Sequence, residues 1–361
     1  KTKTCNLKYK MKKYYTRACN FYYGSQATYL IKKKLALPLC NKKDISFDKI
    51  EIISRENKKV STKIINLNEI KKENVKLQIK IKKDLKKITS DRKTFFNPSI
   101  MGILNLTPDS FSDGGKFNQK TKAFNHINLM VKSGATIIDI GGESTRPGSR
   151  TIHPSKELKR ISKILNVFKK KFPKVKLSID TRKSEVMLEG IKNKADIIND
   201  VSCFSYDTTS LKKIEKYNVW KVIHHMQGTP NTMQIKPKYN NVLLDIYDFF
   251  EEKIKNNSIN KQKNHKIILD PGIGFGKKLK HNLMLISNIS LFHSLGFPIL
   301  IGTSRKRFIS EISRSFDTKE RVGGTLSSVL FALSQGVQIF RVHDVAEINQ
   351  GILVFKELLN Q

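Results

Sequence analysis

A parallel α/β barrel of eight strand–helix units, the (β/α)8 or TIM barrel, is the fold that residues 98–361 predict, with residues 1–97 as a small β-rich extension before it. Three observations carry this expectation. Short runs of Ile, Val and Leu recur eight times after residue 98, continuous rather than alternating, as strands buried on both faces require. Amphipathic helical stretches separate them. The 264 residues concerned, out of 361, come close to the ~250 of such a barrel. An open doubly wound sheet is the alternative, but it needs ligands at one switch point, whereas here every strand end is polar.

The first barrel strand is Ile100–Leu106, broken only by Asn105 near its tip and ended by Thr107-Pro108. A loop rich in Asp, Ser and Gly runs to Gly114-Gly115, and a helix follows near 120–133. Thr136–Ile140 leads through Gly141-Gly142-Glu143-Ser144-Thr145-Arg146-Pro147-Gly148 to a helix from about Ser155. Val175–Ile179 ends in Asp180-Thr181, with a helix from Ser184. Ile197-Ile198 ends in Asn199-Asp200, with a helix near 207–217. Val219–Ile223 ends in His224-His225-Met226-Gln227-Gly228, and a long loop through Pro237 precedes a helix near 242–257. Ile267–Leu269 ends in Asp270-Pro271-Gly272-Ile273-Gly274-Phe275-Gly276-Lys277. Pro298–Ile301 ends in Gly302-Thr303-Ser304-Arg305-Lys306. Ile339–Val342 carries Arg341 and ends in His343-Asp344, before the last helix.

The extension differs in composition. It holds 27 Lys+Arg against 8 Asp+Glu and the single glycine Gly24, while the rest holds the other 18 glycines. That shift sets a boundary near Asn97-Pro98. The alternation in Val75-Lys76-Leu77-Gln78-Ile79-Lys80-Ile81 predicts a half-buried strand. Nothing in the extension has catalytic spacing.

Overall charge is +37, from 68 basic and 31 acidic residues. Only 12 of the basic residues are Arg, and the lysines are spread over surface-type positions. Readers of nucleic acid lean on Arg forks and aromatic platforms, so a nucleic-acid partner is not expected. No run of about 18 apolar residues occurs, so no membrane span is expected either. Cys5, Cys19, Cys40 and Cys203 have neither metal-ligand nor disulfide-framework spacing, which predicts a reducing cytoplasm.

A barrel collects Asn105, Asp139, Asp180, Asn199, Asp270, Ser304, Lys306, Arg341 and His343 at one rim, within reach of one small molecule. Asp180, Asn199 and Asp270 suit the edge of a planar heterocycle that carries adjacent N–H donors; the alternative for each Asp is a structural ion pair. Asn105, Arg341 and His343, with Arg146 in a nearby loop, are cationic or anion-seeking and suit a phosphate, with the amide able to join a Mg2+ shell. The alternative for His343 is a cap or core histidine. Gly272–Lys277 is neither GxGxxG nor a P-loop; its glycines let backbone approach a flat ligand, with Phe275 available as a wall. His224-His225 lacks a third zinc ligand, and Asp109, Ser110 and Asp113 lack EF-hand spacing. The residues alone thus describe a pocket for a planar N-heterocycle beside a phosphate or pyrophosphate, with no reaction specified.

Several stretches resemble the dihydropteroate synthase family of folate biosynthesis. They are Gly102–Gly115, Asp139–Gly148, Ser178–Thr181, Ile198–Val201, His225–Pro230, Asp270–Lys277, Ser304–Lys306 and Arg341–Asp344, in the expected order. The resemblance implies a transferase that condenses 6-hydroxymethyl-7,8-dihydropterin diphosphate with p-aminobenzoate, with Mg2+ as cofactor and a homodimer formed through the last helices. It implies that Asp180, Asn199, Asp270 and Lys306 hold the pterin, and that Asn105, Arg341 and His343 hold the diphosphate and Mg2+, with Asn105 on the metal. The first two loops would bring Asp109, Thr145, Arg146 and Pro147 to the site. Phe275, Pro147, Lys306 and Ser304 would line the p-aminobenzoate pocket, with Asp139 and Met226 also among the substrate-binding residues. Asp180, Lys306, Arg341 and His343 are the expected catalytic set.

Three positions depart from the common pattern: His224 where an apolar residue is usual, Cys203 where glycine is frequent, and Arg182 just after Asp180. None removes an expected ligand. The altered loops of sulfonamide-insensitive relatives are not apparent, so sulfonamide sensitivity is expected. The rivals are a methyltetrahydrofolate:corrinoid methyltransferase, which does not need the Asn105 loop or the Arg341–His343 set, and a Lys-rich nucleic-acid-binding protein using residues 1–97.

Overall fold

The computed structural model describes residues 12–92, 95, 98–107, 116–144, 148–255 and 266–360. The chain divides into two compact units. One comprises residues 1–91 with 290–296 and 360–361; the other comprises 92–289 and 297–359.

The first unit is a four-stranded antiparallel sheet with two helices. Strand β1 (Lys13–Tyr23) pairs with β3 (Ile45–Glu56), which also pairs with the short β2 (Leu37–Pro38) and with β4 (Lys59–Asn66). Helix α1 spans Gly24–Lys32 and α2 spans Val75–Ile88. Ala18, Leu39, Phe47, Ile50, Leu77, Ile81 and Ile88 form its core. Segment 290–296 belongs here although it lies far along the chain: the Ser290 hydroxyl donates to the Ala18 carbonyl, and His293 Nδ1 lies 3.6 Å from Cys40 Sγ.

The strand expected over Val75–Ile81 is instead the start of α2. Asn74 caps it, its side chain accepting from the Leu77 amide at 3.0 Å. Alternation over seven residues hides a second periodicity: Leu77, Ile81 and Ile88 fall on one helical face and are buried, while Val75 and Ile79 are 72% and 63% exposed. The longer run of Lys and Leu after Ile81 favours the helix.

The second unit is the expected barrel. Its eight parallel strands are β5 (Ser99–Asn105), β6 (Ile137–Gly141), β7 (Lys176–Asp180), β8 (Ile197–Asp200), β9 (Trp220–His224), β10 (Ile267–Asp270), β11 (Leu300–Ile301) and β12 (Ile339–Val342). They run in the order β10-β9-β8-β7-β6-β5-β12-β11. A parallel bridge between Leu269 and Ile299, with the Leu269 amide donating to the Pro298 carbonyl, joins the two ends. Strands β6, β8 and β10 are buried at every position, which is why they read as unbroken apolar runs. Phe95 packs with Met101, Ile137, Ile197, Val222, Ile268, Leu300 and Ile339, drawn from seven strands. Phe95, just before the composition shift at 97, therefore packs with the barrel. The helix expected near 207–217 is shorter, Ser210–Ile214; just before it the Asp207 carboxylate accepts from the Thr209 amide and hydroxyl and holds the entry in a turn.

Candidate active site

Register decides which side chains meet. Asn105 aligns with Gly141, Gly141 with Asp180, Asp180 with Asn199, and Asp270 with His224, so the tips of six strands line one rim. Asp139 lies one step deeper, opposite Ser178.

Asp139 is fully buried and anchors the floor. Its carboxylate accepts from Ser178 Oγ at 2.5 Å, from Asn199 Nδ2 at 3.0 Å and from Arg341 Nε at 2.7 Å. Arg341 turns its second arm to Asp180, with Nη2 2.7 Å from Oδ2. The remaining oxygens, Asp180 Oδ1 and Asn199 Oδ1, are buried and have no hydrogen-bond partner among the described residues. Such atoms are costly to leave bare, and two side by side on adjacent strands mark a place for donors from outside.

Burial pushes the Asp180 carboxyl up to about 7, Arg341 opposing and Asp139 reinforcing the rise. Asp270 is pushed up to about 6 by burial; its Oδ1 accepts from the Gly272 amide at 2.7 Å, which works the other way, as do the charges of Lys306 and Arg341. Burial likewise pushes Lys306 down to about 8, aided by Arg341 and opposed by Asp270 and Asp180. These mutual effects place Asp180, Asp270, Lys306 and Arg341 in one electrostatic neighbourhood. Lys306 Nζ also lies 4.1 Å from the centroid of the Phe275 ring.

Phe275 is held by a loop that only glycine can build. At Gly272 φ is +66°, and a Cβ there would stand 2.0 Å from the His225 carbonyl oxygen. Lys277 is buried beneath this loop, donating to the Phe275 carbonyl at 2.9 Å and the His225 carbonyl at 3.3 Å, with Nζ 3.1 Å from His225 Nδ1. Burial brings its ammonium down to about 7, the Asp270 charge opposing. Sequence reading passed over this lysine as the end of a glycine-rich stretch. A cation seven residues after a strand ending in Asp, flanked by glycine, was the available signal. The buried Ser178 under Asp139 left no signal beyond its place in a strand.

His343, grouped above with the cations, is neutral near pH 7. Burial drives its pKa down to about 3, and Arg341 and Arg305 add to the fall. Its ring sits against Ser304, Nδ1 to Oγ being 3.0 Å. Asn105 and Met226 are half-buried at the rim. Asp109, Thr145, Arg146 and Pro147 lie outside the described residues.

The departures from pattern find partners. Arg182 donates to Glu143 at 2.8 Å and lies 4.4 Å over the Tyr206 ring. Cys203 has φ of +52°, the region glycine occupies most easily. His224 is kept neutral by burial and by nearby Lys277, and meets the edge of Phe275 at 4.6 Å.

The family model described as pterin binding enzyme matches residues 101–343. The dihydropteroate synthase of Escherichia coli strain K12 is 41% identical over 264 residues, covering 73% of this chain and 93% of that protein. The chain belongs to the dihydropteroate synthase family. Another relative, the dihydropteroate synthase of Synechocystis, is 39% identical over 251 residues, covering 70% of this chain and 86% of its own. Among solved structures, the Yersinia pestis dihydropteroate synthase with a sulfonamide drug complex is 38% identical with a TM-score of 0.68, covering 73% of this chain and 95% of that one. The Xanthomonas albilineans dihydropteroate synthase in complex with 7,8-dihydropteroate is 31% identical with a TM-score of 0.66, covering 73% and 94%. Like other dihydropteroate synthases, the chain is a transferase of folate biosynthesis built on a TIM barrel.

Proposed function

We propose that the ring of strand tips binds 6-hydroxymethyl-7,8-dihydropterin diphosphate and joins it to p-aminobenzoate, giving 7,8-dihydropteroate and pyrophosphate. The observation that carries this reading is the pair of buried, unpartnered oxygens on Asp180 and Asn199. Two acceptors on adjacent strands match adjacent N–H donors on a pterin edge. Asp270 accepts from the same ring, and Lys306 donates to its carbonyl side while its stem, against Phe275, walls the p-aminobenzoate pocket together with Ser304. Asp139 acts through others, holding Asn199 and Arg341 in position. Asp109, Thr145, Arg146 and Pro147 complete the site from the first two loops, and Met226 borders the pterin.

The C–O bond to the diphosphate breaks first, and pyrophosphate leaves with the electron pair. Positive charge then rests on the exocyclic methylene and is spread into the pterin, where the ionised Asp180 stabilises it. The arylamine lone pair forms the new C–N bond, and the amine gives up one proton. Arg341 stabilises charge growing on the leaving group as a cation, whereas His343, being neutral, does so as a hydrogen-bond donor.

Mg2+ fits the rim beside Asn105. Glycine at 141, the position paired with Asn105, sets no side chain against that amide oxygen, which a Cβ there would touch at 3.7 Å. A single neutral oxygen suits an ion that keeps most of its waters and takes its other ligands from phosphate. When bound it supplies further neutralisation of the diphosphate. The homodimer belongs to the same reading, supported by the exposed Phe331, Leu353, Val354 and Leu358 on the last two helices. So does a cytoplasmic setting, in keeping with Cys19 and Cys203 standing outside any disulfide; no helix among the described residues is long and apolar enough to cross a membrane. Sulfonamides, as p-aminobenzoate mimics, should compete for the Phe275 pocket.

The test is Mg2+-dependent release of pyrophosphate from the pterin diphosphate, measured with and without p-aminobenzoate and with sulfamethoxazole. Formation of dihydropteroate, suppressed by the drug, is expected. A protein that binds the pterin diphosphate yet forms no dihydropteroate overturns the proposal.

A further inference from the structure

Ser304 and His343 meet twice. The His343 backbone N–H donates to Ser304 Oγ at 3.1 Å, and the same Oγ lies 3.0 Å from His343 Nδ1. A serine hydroxyl has one proton to give and two lone pairs to receive with. Ser304 is buried, at 4% exposure, and among the described residues its hydroxyl has no acceptor but Nδ1. Were Nδ1 itself protonated, Oγ would accept twice and its own proton would be stranded in the interior, at a cost comparable to a lost hydrogen bond. The arrangement that satisfies every atom has the backbone N–H donating to Oγ and Oγ–H donating to Nδ1. That leaves Nδ1 bare of hydrogen and puts the ring's single proton on Nε2.

The ring's surroundings agree. Burial works with the positive charges of Arg341, Arg305 and Lys306, against the negative charge of Asp344, to keep the imidazole neutral. The Ser304 segment is itself fixed. Arg305 Nε donates to Asp344 Oδ2 at 3.0 Å and its amide to Thr325 Oγ1 at 3.1 Å, so the strand ends of β11 and β12 are braced on both sides of the Ser304–His343 pair.

We propose that Ser304 is a positioning residue that locks His343 as the neutral Nε2–H tautomer, so that the ring presents a fixed N–H donor, and no acceptor, to the anionic leaving group. This deepens the proposed function by assigning Ser304 a role through His343 beyond lining the amine pocket. The lock exists without substrate, so it is testable apart from the reaction.

The experiment uses the full chain labelled with 15N-histidine, with His343→Gln to assign its resonances. At pH 7.5 and without ligand, the His343 ring is expected to show a protonated Nε2 and a bare, hydrogen-bonded Nδ1. In Ser304→Ala, Nδ1 should move toward the position of an unbonded ring nitrogen and a fraction of Nδ1–H form should appear. Ser304→Thr, which keeps the hydroxyl, should retain the wild-type pattern. In turnover, Ser304→Ala should lower kcat by roughly three- to tenfold, as loss of orientation in one transition-state donor does, with KM for p-aminobenzoate changed less than about twofold. Ser304→Thr should restore most of kcat. A proton on Nδ1 in the wild type, or a Ser304→Ala spectrum identical to wild type, overturns the lock. A Ser304→Ala effect confined to KM for p-aminobenzoate overturns its bearing on the leaving group. Failure of the whole reading of the reaction would leave the spectrum as described and abolish turnover in the wild type.

Discussion

Arg341 and Asp139, 202 residues apart in the chain, are joined by a 2.7 Å bond from Nε to Oδ2 inside the barrel. The arginine's other arm reaches Asp180, so one guanidinium bonds two carboxylates, of which Asp139 is wholly buried.

Removing that guanidinium strands both acids. Arg341→Ala should destabilise the fold by about 3–5 kcal/mol, the usual cost of breaking a buried pair by losing one partner. Arg341→Ala combined with Asp139→Asn should recover part of the loss. Urea unfolding of the wild type and the two variants checks this, and a loss under about 1 kcal/mol in the single variant would show that the pair is not the barrel's internal tie.

Asp180 and Asp270 have folded pKa values of about 7 and about 6, above the roughly 3.9 of an unfolded aspartate. The folded state therefore holds protons that the unfolded state has lost. Their contribution to stability is full below pH 4 and disappears as pH rises through 6 to 7. Ligand-free Asp180→Asn should show a weaker decline over that window than wild type. Pterin N–H donors favour ionised Asp180, so binding at pH 6 should release a proton. Calorimetry in buffers of different ionisation enthalpy measures it, and Asp180→Asn should reduce the release.

Gly272→Ala combines a left-handed backbone with a Cβ placed on the His225 carbonyl. A destabilisation of about 2–4 kcal/mol is expected, in the range of backbone strain joined to overpacking. Because the loop carries Phe275, KM for p-aminobenzoate should rise more than KM for the pterin. Equal change in both would assign the loop a purely structural part.

Helix α2 gives a contrast within one segment. Ile81→Ala should cost about 2–5 kcal/mol as a cavity in a core, whereas Ile79→Ala, two residues away and 63% exposed, should stay within about 0.5 kcal/mol. Asn74→Ala should cost about 1 kcal/mol through the lost cap. Similar losses at 79 and 81 would favour a strand there.

The barrel was legible in the sequence because its strands are buried on both faces and each ends in a polar residue: Ile267–Asp270 states both facts in four letters. Helix α2 was misread because Val75, Leu77, Ile79 and Ile81 satisfy a period of two, and only the later Ile88 and the cap at Asn74 break the tie. Residue types announced that Asp180 and Arg341 matter; they could not announce that these two touch, since nothing local records a contact across the inside of a barrel. The charge state of His343 was equally hidden, because it depends on burial and on Arg305 arriving from another strand end to join neighbouring Arg341.

Residues 290–296 join the first unit from far along the chain. Ala18 waits 272 positions for Ser290, and Cys40 waits 253 for His293. On the ribosome those two contacts therefore wait until strands β5 to β10 have been made. Cutting away residues 1–91 would leave a short apolar stretch containing Leu291 and Phe292 without the neighbours it buries against, so a trimmed enzyme needs that stretch redesigned as well.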